Sequence, residues 1–429
     1  VTEVLAATSH GRVRGQSADG IVRFLGIPYA SAPRGIGRFA APEPVRPWAG
    51  VRAATEFGAT APAVGLSGPG LEFLVEPAIP GEEYLNLNVW TPGVDDARRP
   101  VLVWIHGGAH VTGSSAQPIF DGQAFAANGI VFVSFNYRLG AEGHAQLPDA
   151  PANRALLDQR AALEWVRREI AAFGGDPDRV TVSGSSAGAS AVLSLLSLDT
   201  GLLHRAVVQS VAARSALSTV DAERIAKELA DQAGVPATAA GLATVAPQRL
   251  AELSSGLALA VMADPDPLRW GESVAAASMA FGPVVDGHVL PHHPYQAVLD
   301  GAGRDTELLI GTNSDELLLL TQDEATSAAL TELVFREPVY ALAESRSAAA
   351  ATYVYEFGWR SPLPGAGAAH GLELGFVFDN LGHSTLEGEA PPQDLARAVN
   401  QGWTSFAANG DPGWPPFTDD TPFVRWLGG

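Results

Sequence analysis

A chain of 429 residues with 46% hydrophobic and 17% charged side chains, rich in glycine and proline, reads as a folded globular protein and not a disordered one. Its formal net charge of −20 repels phosphate backbones and anionic lipid, which argues against nucleic acid and membranes as partners. With no cysteine, disulfides, thiolate catalysis and Cys-based metal sites are excluded, and no apolar run approaches the roughly 18 residues that a membrane span needs.

The first residues, "VTEVLAATSH", lack the basic-then-apolar design of a signal peptide, which fits a cytoplasmic protein, although a trimmed secreted chain would look the same. "GRVRGQSADGIVRFLGIPYA" alternates around Asp19-Gly20 and predicts an antiparallel hairpin at a sheet edge. Short apolar runs then alternate with helical patterns. "RPVLVWIHGG" from 99, "GIVFVSFNYR" from 129 and "DRVTVSG" from 178 predict strands, and residues 155–173 and "ASAVLSLLSL" from 189 predict helices. Gly174 and Gly175 supply a left-handed cap to the first of these helices. Further strands are expected at "HRAVVQS" from 204, "TELLIGTN" from 306 and "TYVYEFGW" from 352. Residues 211–280 and 320–350 read as helical, and the short run "SAAAAT" near 350 as helix. Apolar strands separated by amphipathic helices imply an α/β protein, its mostly parallel sheet covered on both faces.

At the junction of "DRVTVS" and the helix from 189 stands Gly184-Ser185-Ser186-Ala187-Gly188. A tight strand-to-helix turn crowds the backbone around Ser186, so the flanking glycines suit a nucleophile elbow; a glycine-rich turn without chemistry is the plainer alternative. A serine nucleophile needs a base to take its proton and a carboxylate to orient that base, in the chain order serine, acid, histidine. "LLIGTNSDELL" places Asp315 and Glu316 just past an apolar strand, and "GAGAAHGLEL" places His370 in a small-residue loop. Either acid suits the role. No clustered ligand spacing points to a metal among the other histidines.

"GIPYA" with a following Arg38-Phe39, "LNLNVWTP", "VLVWIHGGAHVTGS", "VSFNYRLGAEG", "LLDQRAALEWVRREIAAFGGDPDRVTVSGSSAG", "LLHRAVVQS", "FGPVVDGHVLP", "GTNSDE" and "HGLELGFVF" occur in this order. Together they resemble the type B carboxylesterases, which include bacterial p-nitrobenzyl esterases and the cholinesterases, from about residue 8 to "GDPGWPPF". The resemblance implies one α/β-hydrolase domain over residues 1–429, with a mostly parallel central sheet, an N-terminal antiparallel hairpin and a shortened helical cap. Cap-like insertions fall at about 211–280 and 317–350. It implies hydrolysis of uncharged small-molecule carboxylic esters through an acyl-enzyme on Ser186, with Glu316 as orienting acid and His370 as general base; a lyase, an acyl transferase or a non-catalytic binding member of the same fold is the alternative. The backbone N–H groups of Gly108, Ala109 and Ala187 would form the oxyanion hole. Neither cofactor nor metal is implied, and oligomeric state is left open. Arg38 and Glu82 match a structural salt bridge of the family.

Four departures stand out against that resemblance. Ser185 replaces the usual glutamate before the nucleophile, deleting a buried carboxylate near His370 and so lowering that histidine's expected basicity. His110 replaces the aromatic residue after the oxyanion loop. "GAEGH" places Glu142 and His144 near the expected pocket floor, so these four residues predict a more polar pocket suited to a polar substrate. Finally, Glu316 and His370 are only 54 positions apart, which predicts a reduced roof and an open site for bulky esters. Tyr84 stands where the family carries a disulfide cysteine.

Overall fold

The structure, a computed structural model, describes residues 2–68 and 71–428. Its strands begin with β1 (Thr2–Thr8), β2 (Gly11–Ala18), β3 (Ile21–Pro28), β4 (Val51–Ala53), β5 (Asn86–Thr91), β6 (Arg99–Ile105) and β7 (Val131–Phe135). They continue with β8 (Gly175–Ser185), β9 (Arg205–Gln209), β10 (Leu217–Ser218), β11 (Val284–Val285), β12 (Glu307–Asn313), β13 (Thr352–Phe357) and β14 (Val424–Leu427). All but β10 and β11 form one sheet in the order β1-β2-β3-β5-β7-β6-β8-β9-β12-β13-β14, with β4 beside β2. From β7 to β14 neighbours are parallel, whereas β1, β2, β3, β5 and β7 pair antiparallel.

The central strands are buried on both faces, as their uninterrupted apolar sequences require. In β6, Val101, Val103 and Ile105 enter one core with Trp165, Val192 and Leu196, while Leu102 and Trp104 enter the opposite core with Phe120, Phe378 and Trp403. The expected hairpin is β2–β3, and its turn residues Asp19 and Gly20 both take positive φ. The edge strand β1 lies outside it; its largely exposed side chains give it little apolar signal.

The helix Arg154–Glu169 runs into a 3₁₀ turn, Ile170–Phe173, and stops at Gly174 with φ 79°. Ala187–Ser197 follows β8 directly. Within 211–280, the helices Thr219–Ala233 and Pro247–Ala263 enclose a third core that includes Leu229, Leu257, Val261 and Trp270. Residues 318–345 are mostly helical: Leu318–Thr321 ends at Gln322, Glu324–Thr331 follows, and Glu332–Arg336 form a π-helical turn that leads into Glu337–Ser345. Among the described residues no helix is long and apolar enough to cross a membrane.

Two expectations fail here. "SAAAAT" is not helix, because the helix Glu337–Ser345 ends before it and the chain turns to start β13 at Thr352. The buried Arg346 guanidinium fixes this turn by donating to the carbonyls of Gly303 (2.9 Å) and Thr306, and Ala350 N–H donates to Arg304. Tertiary hydrogen bonds override the helix propensity of four alanines. Nor does Arg38 pair with Glu82. Arg38 and Glu142 are both buried and joined at 2.6–2.7 Å, with the Tyr84 hydroxyl donating to the other Glu142 oxygen at 2.5 Å. Glu82 lies on the surface against Arg34 at 2.8 Å. A buried guanidinium needs a buried partner, whereas an exposed carboxylate has water.

That exchange has unequal costs. Glu142→Ala is expected to lower stability in urea unfolding by about 3–5 kcal/mol, since it strands a buried charge. Glu82→Ala should cost no more than about 1 kcal/mol. Equal effects would contradict the pairing.

Candidate active site

Parallel strands present their C-terminal ends on one side, where an α/β sheet collects its ligands. β6 delivers the loop from His106, β8 delivers Ser185 and Ser186, and β12 delivers Glu316. Ser186 takes φ 58° and ψ −123°, an uncommon backbone state for a residue with a side chain. The crowding behind it is severe. A Cβ on Gly188 would lie 2.1 Å from the Ile105 carbonyl oxygen, and one on Gly184 would lie 2.6 Å from the Gly188 backbone. Glycine is therefore obligatory at both positions, as a tight strand-to-helix turn at Ser186 requires.

His370 and Glu316 are brought together although 54 residues separate them. His370 Nδ1 lies 2.6 Å from Glu316 Oε2, and the His370 N–H donates to the Glu316 carbonyl at 3.1 Å. The other carboxylate oxygen of Glu316 accepts from Thr312 Oγ1 at 2.6 Å and Asn313 N–H at 2.8 Å. Burial opposes the Glu316 charge, but His370 and these donors outweigh it and hold the carboxyl below its ordinary range. Asp315 does not compete: it accepts from Ala368 N–H and Arg360, both at 2.8–2.9 Å.

Ser186 and His370 line the same cavity, of about 840 Å³, together with Ser185, Gly108 and Ala109. No hydrogen bond yet joins the Ser186 hydroxyl to the ring, a bond that often tightens only around substrate. Gly108 and Ala109 have φ of 117° and 49°, and among the described residues neither N–H finds an acceptor. Ala187 begins its helix, so its N–H has no intrahelical partner. Apolar side chains dominate the walls, among them Phe73, Trp104, Phe120, Met262, Met279 and Phe335.

Of the four residues expected to make this pocket polar, only Ser185 lines it. Glu142 is committed to Arg38 and Tyr84. His144 bonds the Gly282 carbonyl through Nδ1 at 3.1 Å and packs edge-on against His110, with both rings buried behind the loop. Burial holds His110 down at about 4 and His144 well below its ordinary value, so both rings stay neutral. The cavity is consequently more apolar than these substitutions suggested.

Sequence reasoning missed Glu373. Its side chain is buried, accepting from Asn313 Nδ2 at 2.8 Å and from the Ser185 hydroxyl at 3.2 Å. The signal was present in "HGLEL", where a carboxylate stands three residues after His370, although the turn through Gly371 that joins them is not helical. Burial lowers the His370 pKa, but Glu316 and Glu373 more than offset it, so His370 ends above its ordinary 6.5. The loss of basicity expected from Ser185 is thus answered by a carboxylate from elsewhere. Burial and the neighbouring Glu316 in turn push the Glu373 carboxyl up.

The sequence model of the carboxylesterase family matches residues 2–328 and 320–425, nearly the whole chain. The chain belongs to the carboxylesterase family. This esterase is 34% identical to the para-nitrobenzyl esterase of Bacillus subtilis (strain 168), over 98% of its own length and 94% of the relative's. It is 33% identical to the phenmedipham hydrolase of Pseudarthrobacter oxydans, with 100% and 96% covered. Among solved structures, a PNB esterase superposes with a TM-score of 0.85 at 30% identity, covering 99% of this chain and 96% of the other. A Geobacillus stearothermophilus carboxylesterase gives 0.81 at 34% identity, with 98% and 96% covered. The esterase has the α/β-hydrolase fold of these neighbours and is a carboxylic ester hydrolase.

Replacing Glu373 by Gln should lower the pKa of His370, because a charge that favours the imidazolium is removed. Titration of the His370 ring by NMR measures this, and an unmoved midpoint would deny Glu373 its electrostatic part.

Proposed function

We propose that the esterase acts through an acyl-enzyme on Ser186, with His370 as general base and Glu316 as the carboxylate that orients it. The observation that carries this reading is the 2.6 Å contact between His370 Nδ1 and Glu316, made at the wall of the cavity that holds the Ser186 elbow. His370 Nε2 is then the ring nitrogen left to accept the Ser186 proton as the hydroxyl oxygen attacks the ester carbonyl. The new negative oxygen would be received by the N–H groups of Gly108, Ala109 and Ala187, each worth roughly 3 kcal/mol in the transition state. His370 returns the proton to the leaving alcohol; water, activated by the same ring, then releases the acid and restores Ser186.

The substrate class follows from the walls. Among the described lining residues the acidic side chains are Glu72, Glu76 and Glu316, with burial pushing Glu76 up to about 7, and no lysine or arginine stands among them to receive an ester's own carboxylate. A mainly apolar cavity of about 840 Å³ lies near the upper end of small-molecule sites, at roughly 300–1,000 Å³. Bulky, uncharged esters fit that chemistry.

Ser186→Ala should reduce kcat on p-nitrophenyl butyrate by about 10⁴–10⁶-fold, leaving only the contribution of the oxyanion donors and binding. Unchanged turnover would end the assignment. In the parent protein an organophosphate label should map to Ser186 by mass spectrometry. The rate on neutral esters should rise with pH as His370 loses its proton, with a midpoint above 6.5 since both carboxylates favour the charged form. Bulky aromatic esters should be turned over as well as short ones; activity confined to short acyl chains would contradict the open cavity.

A further inference from the structure

The roof of the cavity contains a feature that this reaction scheme leaves unused. Between the helices Glu324–Thr331 and Glu337–Ser345, residues Glu332–Arg336 form a π-helical turn. Pro338 accounts for it. Without an N–H, Pro338 cannot donate to the Val334 carbonyl as an α-helix requires, and the ladder yields there. A π-turn inserts one residue and so rotates the register by about 100°.

Phe335, at the centre of this irregularity, is buried and lines the cavity beside Val334 and Leu330. Its ring centroid lies 5.7 Å from that of His370, with the ring planes at 49°. The turn itself is anchored. Arg336 donates to both oxygens of Glu356 on β13, at 2.6 and 3.2 Å, and to Glu332 at 2.8 Å. β13 pairs with β12, the strand that delivers Glu316, so roof and acid share one support.

We propose that Phe335 is a positioning residue for His370, presented by the π-turn to hold the imidazole against Glu316 and to support the imidazolium that forms during turnover. The proposal rests on the role of His370 given above. A hydrogen bond through Nδ1 fixes one edge of a ring but leaves it free to swing about that contact, and a displacement near 1 Å can cost about 10²-fold in rate. Phe335 closes that freedom. The 5.7 Å between the ring centroids is also within the roughly 6 Å over which an aromatic ring attracts a cation.

The other charged groups around His370 are accounted for. Glu316 comes from the end of β12 and Glu373 from the segment of His370 itself, and both favour its charged form. Glu72 and Glu76 stand on the cavity wall. On the roof, Glu332 and Arg336 pair with each other and Glu337 pairs with Arg214.

The test compares Phe335→Leu, Phe335→Ala and Phe335→Tyr in kcat, KM and pH dependence on p-nitrophenyl acetate, with folding checked by thermal denaturation. Phe335→Leu keeps an apolar side chain of part of the size without the ring; kcat should fall several-fold at little change in KM, and the acid limb should move down by about half a pH unit. Phe335→Ala should lose about 10–100-fold in kcat. Phe335→Tyr, which retains the ring, should recover most of the rate and the parental pH midpoint. Leu333→Ala, at an exposed position of the same turn, should leave all parameters unchanged. If Phe335→Ala does not fold, the Leu and Tyr variants decide. Parental kcat and pH midpoint in Phe335→Leu would overturn the proposal. Ser186→Ala in the same assay separates the two claims: full activity there defeats the acyl-enzyme reading, whereas an inactive Ser186→Ala beside an unaffected Phe335→Leu defeats this inference alone.

Discussion

The candidate site depends on how little room separates the ends of two adjacent strands. β6 and β8 run parallel until the carbonyls of Ile105 and His106 press against Gly188, leaving less space than a methyl group occupies. That contact forces the chain through Ser186 in an uncommon conformation and starts a helix immediately afterwards. One crowded junction therefore fixes the serine, the first N–H of the helix and the loop facing both. Rearranging any of them would mean separating two central strands buried on both faces, which is why a strained backbone can persist there.

Electrostatics around His370 is organised by a similar economy. Glu316 and Glu373 are both buried, and each raises the cost of ionising the other. A third carboxylate at position 185 would add to that repulsion; Ser185 instead offers a hydroxyl that donates to Glu373. The substitution is thus less a deletion than a change from acid to donor. His110 and His144 follow the same logic from the opposite direction, since burial keeps both neutral and their edge-on packing brings no charge into the loop.

Strand-by-strand, the parallel half of the fold was legible because buried strands and amphipathic helices leave distinct periodicities. The elbow at Ser186 was legible from its strand-to-helix setting, whereas the strand end offered both Asp315 and Glu316, and only the resemblance chose between them. Contacts between distant segments were not legible. Nothing near Arg38 in the chain announces Glu142, 104 positions away, and analogy chose the surface residue Glu82 instead. Glu142 and His144 were drawn toward the cavity by their place in the sequence, yet a short helix turns both into the protein interior. "SAAAAT" shows the same limit at small scale, since its conformation is set by where Arg346 finds its carbonyls.

The Tyr84–Glu142–Arg38 cluster stands where the resemblance places a cysteine, in a chain that has none. A disulfide acts largely on the unfolded chain, shortening the loops it can explore, and it persists after the native structure is lost. The polar cluster has the opposite character. It exists only once Tyr84, Glu142 and Arg38 have met inside the folded protein, and it vanishes with the fold. Its hold on this segment is therefore indifferent to the redox state of the surroundings, and it carries no memory through unfolding: each refolding molecule must rebuild the connection from three separated parts of the chain.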